Sequence, residues 1–114
     1  MKLGIVIYSG DSETVWNAFR FGNFALQTDG TGGDGEGNEV KVFLLGRGVE
    51  CESLDKGKFR VTEEMRKLVE SGGEIFACGS CLKIRQSEGS ELCPLSTMRD
   101  LYEIVADCEK VVTF

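Results

Sequence analysis

The sequence predicts an α/β fold, a mainly parallel five-stranded sheet with helices on both faces. Three observations lead there. Short apolar runs rich in valine and isoleucine alternate along the chain with longer stretches whose apolar residues recur at helical spacing. Strand and helix segments succeed one another in strict alternation, the pattern of parallel strands joined by crossover helices. At 114 residues, 41% hydrophobic and 28% charged, the chain has the size and composition of one globular domain with one core, residues 1–114.

Residues 2–8 form a near-continuous apolar run, as expected of a strand covered on both faces. Ser9, Gly10 and Asp11 make a turn, and Asp11 or Ser12 can cap the next helix. Over residues 13–27 the positions Val15, Ala18, Phe19, Gly22, Ala25 and Leu26 share one helical face. Trp16, Phe21 and Phe24 fall partly off that stripe, where they either widen the core face or line a subunit interface. Residues 28–38 read as a flexible glycine- and acid-rich surface loop; their acids lack the regular spacing of a calcium-binding EF-hand.

Residues 39–45 are a second strand, ended by the turn Gly46, Arg47, Gly48. Residues 49–60, which include Cys51, make a mixed polar connection, and connections of that length are often functional. Thr62 can cap a helix with Glu63 and Glu64 in its first turn and Met65, Leu68 and Val69 on its inner side, stopped by Gly72 and Gly73. A third strand at residues 74–77 hands over to Cys78 and then to about two helical turns reaching Gln86. Residues 91–95 pass as a short strand or extended loop. Thr97 and Asp100 form a capping pair for a helix whose stripe is Met98, Leu101, Tyr102 and Val105, and residues 110–114 are the last strand.

Charge and cysteine usage narrow the function classes. Thirteen basic against nineteen acidic residues give a net charge of −6, which argues against direct nucleic-acid binding. No run approaches the roughly 20 apolar residues that span a bilayer. The first residues lack the length and cleavage site of a secretory signal, so a cytoplasmic location is expected. The five cysteines are an odd number, against a secreted disulfide framework, and the absence of histidine removes Ser-His-Asp and Cys-His catalysis.

The chemistry concentrates in Cys78, Gly79, Ser80 and Cys81, a C-x-x-C at a strand-to-helix junction. Free N–H groups and the dipole at a helix start favour a thiolate, the nucleophilic form of cysteine. Several readings stay open on these residues alone. They are a redox dithiol with Cys78 attacking and Cys81 resolving, a single cysteine carrying sulfur as a persulfide, a zinc site short of ligands, or two buried thiols filling space. Sites in parallel sheets gather at the carboxyl ends of strands. Ser9, Gly10, Gly46, Gly79, Ser80 and Cys93 are expected at those ends and form the candidate pocket. Arg85 either pairs with an acid or lends positive potential to the pocket or an interface. Cys51 and Cys93 read as incidental thiols or relay positions, Cys108 as structural. No phosphate-loop pattern stands at a strand–helix junction, so no nucleotide or flavin cofactor is expected, although residues 9–14 can hold an anion at a helix start.

Four stretches, IVIYSGDSETVWNAFRFGNFAL, VKVFLLGRGVE, IFACGSCLKIR and LCPLSTMRDLYEIVADCEKVVTF, resemble the DsrE/DsrF-like (TusD- and YchN-related) sulfur-relay family in order and spacing. The resemblance covers most of the chain. It implies a three-layer α/β/α domain of flavodoxin-like architecture, assembled as homotrimers or hexamers or with sibling subunits. It also implies relay of sulfane sulfur through a cysteine at the end of the third strand, which Cys78 matches, between donor and acceptor proteins and without a cofactor or metal. It assigns Cys81 no role, and the glycine-rich stretch looks like an insertion relative to compact members. A small cytosolic sulfur carrier is the reading this supports; a C-x-x-C dithiol protein and a non-catalytic oligomeric binding module are the alternatives.

Overall fold

The computed structural model describes residues 1–28 and 37–114. The surface loop expected over residues 28–38 lies, apart from its ends, outside the described residues. In chain order the elements are β1 (Lys2–Ile7), α1 (Ser12–Gln27), β2 (Glu39–Leu44), a 3₁₀ helix (Gly46–Ser53), α2 (Val61–Glu70), β3 (Glu74–Cys78), α3 (Gly79–Ile84), β4 (Leu95–Ser96), α4 (Met98–Asp107) and β5 (Lys110–Thr113).

The strands form the expected parallel sheet, in the order β4-β3-β2-β1-β5, with every pairing parallel. Three steps move outward from β1 in one direction and the fourth returns to its other edge, which brings the last crossover helix to the opposite face. Two glycines show this directly. A methyl group on Gly22 of α1 would meet Leu68 of α2 and Ile5 of β1, while one on Gly4 would meet Ile104 of α4. Neighbouring strand residues point to opposite faces, so α1 and α2 cover one side of β1 and α4 the other.

Register builds the main core. Leu3, Ile5 and Ile7 pair with Val40, Val42 and Leu44 and lie under Phe19, Met65 and Leu68, all buried. Each such side chain contributes about 1.5–3 kcal/mol by leaving water. Asp11 caps α1 by accepting from the Thr14 N–H, and the N–H groups of Gly72 and Gly73 close α2 on the carbonyls of Val69 and Leu68, with Gly72 at φ +96°.

Several boundaries differ from expectation. Residues 46–53 are not a turn followed by irregular chain but a 3₁₀ helix, after which Lys56 and Phe59 exchange backbone hydrogen bonds of 3.1 and 2.9 Å. Thr62 is not the cap of α2: the helix starts at Val61, and the Thr62 N–H donates to Asp55 Oδ1 at 2.9 Å. The fourth strand is not at residues 91–95 but at Leu95–Ser96, because Ser90 and Cys93 close a turn on each other through backbone bonds of 3.1 and 3.2 Å.

The capping pair of α4 is present, with the Thr97 N–H donating to Asp100 Oδ2 at 2.9 Å. Of its expected apolar stripe only Leu101 packs against the core, and the rest faces away from the sheet. Met98 is 58%, Tyr102 74% and Val105 53% exposed, whereas Ile104 makes the inward contact. Of the aromatics on α1, Trp16 packs edge-on against Phe59 at 5.3 Å, while Phe21 and Phe24 are exposed.

Candidate functional site

β3 runs from Glu74 to Cys78 and its alternation sends Phe76 and Cys78 to the α4 side of the sheet. Cys78 is the last strand residue and the one preceding α3; Gly79 follows because its Cα lies close to the Ser96 carbonyl, which an added methyl would meet at 3.0 Å. The Ser96 hydroxyl donates to the Ala77 carbonyl at 3.0 Å and pins β4 to β3 at this end. Cys78 is only 3% exposed, yet with Gly79, Ser80, Ser96 and Thr97 it lines an open cleft of about 310 Å³, with Lys83 and Met98 at its sides. The residue is thus sheltered and borders a space large enough for a few heavy atoms.

Cys81 stands one turn further on, half-buried, with its sulfur turned to the 3₁₀ helix: the Gly46 N–H donates to its Sγ at 3.2 Å. Burial, first, and the neighbouring Cys78 thiol push its pKa up, against opposing pulls from the Gly46 N–H and Arg85. Cys81 therefore keeps its proton in the resting protein. Arg85 is paired with an acid: its Nε donates to Glu50 Oε2 at 3.0 Å and its Nη1 to the Cys81 carbonyl at 3.0 Å. It braces the end of α3 against the 3₁₀ helix.

The remaining pocket candidates do not converge on one space. Ser9 and Gly10 follow β1, and the Arg47 side chain lies over Gly10, where a methyl group would come within 2.8 Å of its Nε. Gly46 joins this end through Cys81, at a φ of +56° that favours glycine. Cys93 is not at a strand's carboxyl end, since it precedes β4; it is buried against Cys51, with an Sγ···Sγ distance of 4.0 Å. The start of α1 does not offer its donors to an outside anion. The Thr14 N–H and hydroxyl both donate to Asp11 Oδ2 at 2.9 Å and hold that carboxyl below the ordinary 3.8.

Sequence reasoning missed the other wall of the Cys78 cleft, Ser96, Thr97 and Met98. The only local signal was Thr97 as a helix cap, which places a helix start but not what it faces. Among the described residues no three cysteine, aspartate or glutamate side chains gather closely enough to hold a metal ion, and no helix is long and apolar enough to cross a membrane.

Comparison with known proteins places these features in a wider set. A family model described as "DsrE/DsrF-like family" matches residues 1–114. "Uncharacterized protein MJ0989" of Methanocaldococcus jannaschii is 31% identical over 122 residues, covering 100% of both chains. "Uncharacterized protein MK0008" of Methanopyrus kandleri is 32% identical over 108 residues, covering 90% of this chain and 83% of its own. Among solved structures, the ychN protein from E. coli superposes with a TM-score of 0.79 at 17% identity over 100% of both chains. A conserved protein of unknown function, BT1422 from Bacteroides thetaiotaomicron, gives 0.67 at 22% identity over 99% of this chain and 94% of its own. At such identities the two structures speak for the fold alone.

Proposed function

This chain belongs to the DsrE/DsrF-like family, and on that footing we propose that it is a small carrier of sulfane sulfur whose working residue is Cys78. Membership implies sulfur relay in general terms; the persulfide on Cys78 is the finer reading. One observation carries it: Cys78 is the thiol at the β3–α3 junction that borders the cleft, where one extra sulfur atom has room.

The Cys78 thiolate attacks the outer sulfur of a donor persulfide, R–S–SH. A new S–S bond forms on Cys78, the donor's S–S bond breaks, and the donor leaves as its thiol. An acceptor thiolate then takes the outer sulfur from Cys78–S–SH and regenerates Cys78. Cys81 does not line the cleft and takes no part in the first step. When it loses its proton it attacks the inner sulfur, forms a Cys78–Cys81 disulfide and expels hydrosulfide. Lys83 at the cleft wall offers a cation to the incoming persulfide.

Partners are further copies of this chain, in a homotrimer or hexamer, and donor and acceptor proteins. The uncovered α4 stripe supports association. A cytoplasmic location fits five free thiols.

Intact mass after polysulfide treatment tests the reading. A gain of about 32 Da that Cys78→Ser abolishes and Cys81→Ser retains is the expected result. The dithiol alternative rests on Cys78 immediately preceding α3 and Cys81 lying in its first turn. It gives instead a loss of about 2 Da that either substitution abolishes.

A further inference from the structure

We propose that Cys51 and Cys93 form a second dithiol site, independent of Cys78, which a small-molecule disulfide oxidises to an intramolecular bridge. The two sulfurs lie 4.0 Å apart although the residues are 42 positions apart in the chain. A disulfide needs about 2 Å between sulfurs, so closure requires a shift of roughly 2 Å. The turn carrying Cys93 is closed by local bonds, with the sheet holding it at Pro94, whose carbonyl accepts from the Ala77 N–H at 3.0 Å. The Cys93 N–H donates to the Ser90 hydroxyl at 3.1 Å, and Gly89 at φ +82° passes so close to the Cys93 carbonyl that a methyl group would meet its oxygen at 2.6 Å.

The site also has an entrance. A groove of about 220 Å³ runs between the 3₁₀ helix, α3 and this turn, lined by Cys93 together with Glu50, Glu52, Leu82, Arg85 and Ser87. Cys51 does not line it and is fully buried behind. This asymmetry orders the reaction. Cys93, once deprotonated, attacks one sulfur of RSSR; the Cys93–SR bond forms and RS⁻ leaves. Cys51 then loses its proton and attacks the Cys93 sulfur, the intramolecular S–S bond forms, and the second RS⁻ leaves. Two thiols are oxidised, one RSSR is reduced to two RSH, and the protons balance.

The Cys93 thiol is pushed strongly upward by its contact with Cys51, by burial and by Glu52. Alkaline conditions therefore favour the first step. Closure would also reach the candidate site. The 3₁₀ helix that carries Cys51 supplies the Gly46 N–H to Cys81 and Glu50 to Arg85.

The test uses the folded full chain as a Cys78→Ser/Cys81→Ser double variant, so that it does not depend on the carrier reading. The protein is incubated with oxidised glutathione at mildly alkaline pH, denatured, alkylated and digested. A mass loss of about 2 Da with a peptide linking Cys51 to Cys93, absent after adding Cys51→Ala or, separately, Cys93→Ala, is expected. Circular dichroism confirms that each variant is folded. Recovery of both as alkylated thiols, a glutathione adduct stalled on Cys93, or a bridge involving Cys108 would overturn the proposal.

Discussion

The Gly46 N–H and the Cys81 sulfur, 3.2 Å apart, join the end of β2 to the first turn of α3. Gly46 begins the 3₁₀ helix and Cys81 belongs to the helix that starts at the proposed carrier residue, so the two strand ends are held in a fixed relation by one sulfur acceptor.

Cys81→Ala removes that acceptor and is expected to cost about 1 kcal/mol in urea unfolding, with Cys81→Ser recovering part of it through its hydroxyl. In the wild-type protein, alkylation of Cys81 followed by peptide mass should rise with a midpoint above the ordinary thiol value of 9.0. A folded-state pKa raised in this way contributes stability below the unfolded pKa that is lost as pH climbs through the folded one. The wild-type advantage over Cys81→Ser should therefore shrink on the alkaline side.

Gly48→Ala is expected to be the harshest small substitution near the site. Its new methyl group would fall 2.1 Å from the Ile7 carbonyl oxygen, a backbone atom that cannot turn aside. A loss of about 3 kcal/mol, read by chemical denaturation, is expected from such overpacking. Gly10→Ala meets only the mobile side chain of Arg47 and should cost far less.

Asp11 gives an acid-side signature. Its carboxyl is held below 3.8 by the Thr14 N–H and then the Thr14 hydroxyl. A lowered folded-state pKa stabilises the protein above the unfolded value, and the contribution disappears as pH falls through the folded one. The stability deficit of Asp11→Ala should be full at pH 7 and shrink progressively below about pH 4. A carboxyl-detected NMR titration with its Asp11 midpoint at or above 3.8 would contradict the capping role.

Tyr102→Glu places a charge in the middle of the exposed α4 stripe, on a side chain already 74% in water. The fold should be unaffected by circular dichroism, while light scattering after size exclusion should show a smaller assembly than the wild type. A wild-type protein that is itself monomeric would remove the association reading.

β1, β2, β3 and β5 were legible because each carries a short apolar run with β-branched residues, and β1, β2 and β3 lie within a residue of their expected bounds. Periodicity also placed α4, but it reports only that a face is apolar. Whether Met98, Tyr102 and Val105 meet the sheet or the solvent depends on the crossing that sets Ile104 over Gly4, which no local pattern encodes. β4 escaped for a different reason: two residues are too few to show alternation, and the apolar Leu92 and Cys93 beside them belong to a turn. The Cys78 junction could be read from strand, glycine and helix in sequence. The Cys51–Cys93 contact could not, since thiols 42 positions apart leave no trace in either neighbourhood.

The place of β1 in the sheet has a consequence for how folding is completed. Its residues Leu3 to Val6 pair with Lys110 to Thr113, and the Tyr8 N–H waits for the Phe114 carbonyl, 2.9 Å away. β1 therefore keeps one border unsatisfied until β5 has docked beside it. Closing that border is a slow, long-range step between strands far apart in sequence, during which partly folded molecules are open to pairing with one another.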